Sequence, residues 1–125
     1  MIFDTDVFIW VQRGNTKAAS LMDKEKEKFL SVQSYMELLQ GAKNRKQQDV
    51  TKSFLKEFGF KVLPLSENIG HRASVYIDSY SLSDGLKASD ALIAATAAEE
   101  NQILCSSNRK HFKCILDLKL KVFKP

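Results

Sequence analysis

Five short apolar runs punctuate the chain: Met1–Phe3, Phe29–Val32, Lys61–Leu65, Ile103–Cys105 and Leu120–Phe123. Between them lie longer segments whose apolar residues recur every three to four positions. The short runs suit strands and the longer segments suit helices that bury one face. Strands joined through helices lie parallel, and a parallel sheet needs helices over both of its faces. The alternation therefore predicts an α/β fold with a mainly parallel central sheet flanked by helices. Helices are expected at Thr16–Lys28, Ser34–Lys46, Gln47–Phe58, Asn68–Leu82 and Ser89–Glu100, with a helix or turn at Val7–Val11. Gly14, Gly59 and Gly85 break these segments, and Pro64 falls in the third strand. No repeat, low-complexity tract or linker divides the 125 residues, so residues 1–125 read as one domain.

In an open parallel sheet, ligands bind beyond the carboxyl ends of the strands. The residues that follow each strand are therefore the ones to examine. Asp4 follows the first strand directly, with Asp6 two positions on. Glu37 is expected in the first turn of the helix after the second strand. Asp90 is expected in the first turn of the Ala-rich helix. Asn108 follows the fourth strand beside Ser106 and Ser107. Acids gathered at one edge repel unless a cation neutralises them. Oxygen donors favour Mg²⁺ or Mn²⁺ over zinc. Each residue also has a plainer explanation. Asp4 and Asn108 suit turns. Ser34 and Glu37 fit a capping box with Ser34 as the cap. Asp90 suits a helix N-terminus. The functional case rests on the four together.

Composition narrows the setting. The formal net charge is +4, and a basic surface suits a phosphate backbone. Arg109, Lys110 and Lys113 form one basic group after the fourth strand, and Lys43, Arg45 and Lys46 another. Cys105 and Cys114 have no CxxC or zinc spacing and read as reduced thiols. His71 and His111 lack partners at metal-ligand spacing and read as surface residues. No apolar run is long enough to span a bilayer, and the start lacks the pattern of a secretory signal. A cytoplasmic location with no membrane association is the expectation.

The acids sit within longer motifs. Ile2-Phe3-Asp4-Thr5-Asp6-Val7 resembles the opening motif of the PIN domain, and Ser34-Tyr35-Met36-Glu37-Leu38 its second motif. Ser89-Asp90-Ala91-Leu92-Ile93-Ala94-Ala95-Thr96-Ala97 is very close to a characteristic stretch of that family and is the most specific match. Leu104 to Phe112 resembles its closing motif, with Ser106 in place of the usual Thr and Asn108 where many members carry a fourth Asp. Within the family, the chain resembles the VapC toxins of toxin–antitoxin pairs. The resemblance implies a metal-dependent endoribonuclease, usually dimeric, restrained by a VapB-like antitoxin. It implies Asp4, Glu37 and Asp90 as ligands of Mg²⁺ or Mn²⁺, and Asn108 as the fourth residue of the catalytic set. Ser106 and Asp6 are expected to support that set, and Arg109, Lys110 and Lys113 to hold RNA. A damaged acidic set would instead mark a non-catalytic PIN-like module that binds RNA or protein. A receiver-type phosphoacceptor would need an Asp at the end of a central strand. The nearest, Asp49, falls in a helical segment. PIN nucleases acting on DNA flaps or structured RNA usually carry further domains.

Overall fold

The computed structural model describes all 125 residues. Its elements run β1 (Ile2–Phe3), α1 (Thr5–Gln12), α2 (Thr16–Lys24), β2 (Lys28–Ser31), α3 (Val32–Gln40) and α4 (Arg45–Glu57). They continue with β3 (Phe60–Leu63), α5 (Glu67–Asp84), α6 (Ala88–Glu99), β4 (Leu104–Ser106), α7 (Arg109–Phe112) and β5 (Leu120–Val122). The sheet has the order β3-β2-β1-β4-β5, and every pairing is parallel. From β1 the chain steps outward to β2 and β3, then crosses back over β2 and β1 to β4. Strand order thus reverses between β1 and β4, which opens a crevice at their carboxyl ends.

Side chains alternate between the two faces of a strand, and each face here has its own core. Ile2 and Leu104 pack with Ile69, Ala73, Ala91, Ile93 and Ala94 of α5 and α6. Phe3, Leu30 and Cys105 pack with Val7, Phe8, Met22, Leu38 and Leu55 on the opposite face. There Phe3, Phe8 and Phe60 meet edge-on or tilted, with centroids 5.0–6.4 Å apart. Full burial of such a ring contributes about 1.5–3 kcal/mol. In α6, Ala91, Ala94, Ala95 and Ala97 are all buried, so the helix approaches both sheet and neighbour closely.

Several boundaries differ from expectation for local reasons. α3 begins at Val32, because Ser31 is its cap: the Ser31 hydroxyl accepts from Ser34 N at 3.0 Å. Ser34 is therefore not the cap, and Glu37 lies in the second turn, where no capping box forms. α4 starts at Arg45, capped by Asn44, ahead of the start expected at Gln47. β3 stops at Leu63, before Pro64, which has no N–H for a ladder. α2 ends at Lys24, and Lys28 already belongs to β2. The four-residue α7 lies where the sequence predicts no helix. α6 closes through Asn101, whose left-handed φ of 52° lets Asn101 N and Gln102 N bond to Ala98 O and Ala97 O.

Candidate active site at the carboxyl edge of the sheet

Parallel strands put all their carboxyl ends on one edge. Asp4 leaves β1 there, Ser106 ends β4 there, and α3 starts there from β2. α6 runs back across the sheet toward β4, so its N-terminal turn, with Asp90, returns to the same edge. The sheet thereby gathers residues from both ends of the chain.

Asp4 is 5% exposed and caps α1. Its Oδ1 accepts from Thr5 N at 2.8 Å, and its Oδ2 accepts from the Ser106 hydroxyl at 2.7 Å. The Ser106 oxygen accepts in turn from Asn108 N at 2.9 Å. Burial, then the charge of Asp6, push the Asp4 carboxyl up to about 7, with a smaller push from Asp90. The bonds from Ser106 and Thr5 oppose the rise without cancelling it. Burial also raises the Asp90 carboxyl, against the pull of His111 and Lys87. Asp6 accepts from the Ser107 amide at 3.0 Å and from its hydroxyl, which ties α1 to the loop after β4. Its other oxygen is buried without a partner.

Glu37 is fixed differently. Thr5 Oγ1 lies 2.9 Å from both Glu37 Oε1 and Ser34 Oγ. One hydroxyl carries one proton, and the carboxylate is the stronger acceptor. Thr5 thus orients Glu37 while Ser31 and Ser34 complete a row of hydroxyls behind it. Thr5 and Glu37 line a hollow of about 450 Å³ between α1, α3 and α4. Asn108 precedes α7, and its side chain makes no capping bond to that helix. Arg109, Lys110 and Lys113 are exposed on and after α7. His111 of α7, expected only as a surface residue, is half-exposed but stands 3.5 Å from Asp90 through Nδ1. Sequence spacing could not show this, because α6 and α7 meet only in three dimensions. His71 and Asp49 are exposed on α5 and α4, and neither joins the edge.

No three His, Cys, Asp or Glu side chains form a ready-made metal cage. The donor chemistry nonetheless fits a hard divalent cation. Asp4 and Asp90 are neighbouring acids that burial makes reluctant to ionise, and Asp6 presents an unpartnered buried oxygen beside them. Each of these penalties is relieved by a positive charge. Mg²⁺ in particular keeps several waters and takes only one or two carboxylates directly. Thr5 links Glu37 to this group, since its amide donates to Asp4 and its hydroxyl to Glu37. Cys105 and Cys114 are free, and burial pushes the Cys105 thiol up to about 12, so it is inert.

The PIN-domain family model matches residues 1–114. No curated protein sequence matches. Among solved structures, the chain is similar to a toxin–antitoxin complex from Klebsiella pneumoniae, at 28% identity and a TM-score of 0.79, covering 94% of this chain and 93% of that one. It shares its fold with VapBC-1 from nontypeable Haemophilus influenzae, at 24% identity and a TM-score of 0.78, covering 98% of both chains. It also shares its fold with VapBC2 from Rickettsia felis, solved bound to a fragment of promoter DNA. There the identity is 22% and the TM-score 0.78, covering 99% of this chain and all of that one. With nearly its whole length matched and its acids at the crevice of the parallel sheet, the chain belongs to the PIN-domain family.

Proposed function

We propose that this protein is a Mg²⁺- or Mn²⁺-dependent endoribonuclease and the toxin of a VapBC-type toxin–antitoxin pair. The observation that carries the reading is the Asp4 carboxyl, buried beside Asp6 and Asp90 at the sheet crevice and held at two oxygens by Ser106 and Thr5. Capping α1 does not require neighbouring acids, yet Asp6 and Asp90 both bring like charge onto this one.

Asp4 and Asp90 would hold the ion, with Glu37 reaching it directly or through water. When bound, the ion lowers the pKa of a water and offsets charge on the phosphate. Ser106 fixes the Asp4 rotamer, and Asn108 N fixes Ser106. Thr5 holds the Glu37 carboxylate by its hydroxyl, and Glu37 would accept a proton from an attacking water. Asp6 holds the loop that carries Ser107 and Asn108 in place. Arg109, Lys110 and Lys113 offer cations to the RNA backbone. The similar solved structures include toxin–antitoxin complexes, which supports a VapB-like antitoxin as partner. An arginine from such a partner would pair with the same carboxylates.

The test is incubation of the purified protein, free of antitoxin, with total cellular RNA in Mg²⁺ or Mn²⁺. Discrete fragments are expected, absent with EDTA and with Asp90→Asn. A folded wild-type protein that binds RNA but leaves it whole in both metals would instead make this a non-catalytic binding module.

A further inference from the structure

A second basic surface lies across the sheet from α7. A groove of about 670 Å³ runs between α2 and the edge strand β5, lined by Lys17, Ser20, Lys24, Lys121, Phe123 and Lys124 among others. All four lysines are exposed, none is in an ion pair, and no acid lines the groove. Lys17 and Lys24 are two helical turns apart on α2, so they share one face of the helix. Lys121 projects to the α2 side of the sheet, because it pairs with Cys105, which faces that core.

The β5 wall of the groove ends at the same edge of the sheet as the acids. Val122 is in register with Ser106, and Phe123 N donates to Ser106 O at 2.8 Å. Ser106 is the residue whose hydroxyl holds Asp4. β5 is two strands from β1, so the carboxyl ends of these strands lie roughly 10 Å apart.

We infer that the α2–β5 groove is a track for the phosphate backbone of single-stranded RNA, leading the strand to the crevice at Asp4. Unpaired lysines in a row bind a polyanion by releasing its condensed counterions, and this requires no reading of the bases. The open trough suits a flexible strand, which can enter without the fixed width of a duplex. With α7 basic on the other face, the acid edge lies between two cationic flanks, and a strand lying across both would present a phosphate at the crevice. The inference rests on the ribonuclease reading for its direction but makes a separate claim about binding.

The experiment uses Asp90→Asn as a background that cannot cut, with a labelled single-stranded RNA followed by fluorescence anisotropy over a range of salt. Two pairs are added to it: Lys17→Gln with Lys24→Gln, and Lys121→Gln with Lys124→Gln. Lys52→Gln with Lys56→Gln on exposed α4 is the control. Each groove pair should weaken RNA binding tenfold or more at low salt. Each should also flatten the slope of log K against log salt by about 0.7 for every phosphate that is no longer neutralised. The control pair should do neither. Equal weakening by groove and control pairs would overturn the track, as would groove pairs that bind RNA as tightly as the background. In proteins with Asp90 intact, the groove pairs should raise KM for RNA cutting and leave kcat unchanged. Unchanged KM with normal cutting would sink the groove alone. Groove-dependent binding with no cutting by the wild type would sink the nuclease and leave the groove standing.

Discussion

Asp4 is kept where an acid is least comfortable. Unfolded, its carboxyl ionises near the usual 3.8; folded, it does so near 7. Between those values the unfolded chain has released the proton and the folded chain has not. Rising pH therefore favours unfolding through this window, and the penalty is complete above about 7. Without metal, Asp4→Asn should be more stable than the wild type at pH 8, by about 1–2 kcal/mol, because it removes the buried charge. Near pH 4 the advantage should vanish. Urea denaturation in EDTA at both pH values measures this, and a variant less stable at pH 8 would count against the strained-acid reading. Thr5 makes a second residue-scale case. Thr5→Val keeps the shape but removes the hydroxyl that aims Glu37, and should slow RNA cutting about 10- to 100-fold. The folded far-UV spectrum should be unchanged. Normal cutting would mean that Glu37 needs no orientation.

At the scale of elements, the cap of α3 decides where Glu37 points. Ser31 is fully buried, and its hydroxyl accepts from the buried Ser34 N. Ser31→Ala should cost about 1–2 kcal/mol in thermal unfolding, since it strands a buried donor. A neutral result would show that α3 starts elsewhere. The sequence carried the alternation of strands and helices well, because burial on both sheet faces leaves compact apolar runs. It also carried Asp4 and Asp90, which sit close to well-marked element boundaries. Other features were not legible. Two serines three residues apart could each cap α3, and only the depth of β2 chooses Ser31. α7 is a single turn with no periodicity to read. The approach of His111 to Asp90, and of Asp6 to Ser107, comes from crossing the sheet and not from spacing.

On the scale of the whole molecule, the site stands on a sheet whose two faces are packed by separate cores, and the α5–α6 side is clamped from outside. Arg72 of α5 bonds Glu99 of α6 through Nε at 2.7 Å and also pairs with Asp117, which accepts from Tyr76 at 3.0 Å. This ties two helices to the segment before β5. The groups are partly exposed, so Arg72→Ala should cost only about 0.5–1 kcal/mol, and the loss should shrink in high salt. Denaturation in low and high salt checks it; a loss independent of salt would assign Arg72 to packing instead. RNA cutting at low temperature should survive this change, because the clamp lies away from the acid edge.

The most direct test of the central claim is to titrate Mn²⁺ into the wild type, Asp4→Asn, Asp90→Asn and the double variant. Calorimetry and RNA cutting would be followed on the same samples. If the acids act as one unit, the wild type binds the ion and cuts. Each single variant then loses most of both, and the double variant is no worse than either. Mn²⁺ binding that is unaffected by Asp4→Asn, or substantial cutting by Asp90→Asn, would contradict the assignment of the metal-dependent nuclease to this edge of the sheet.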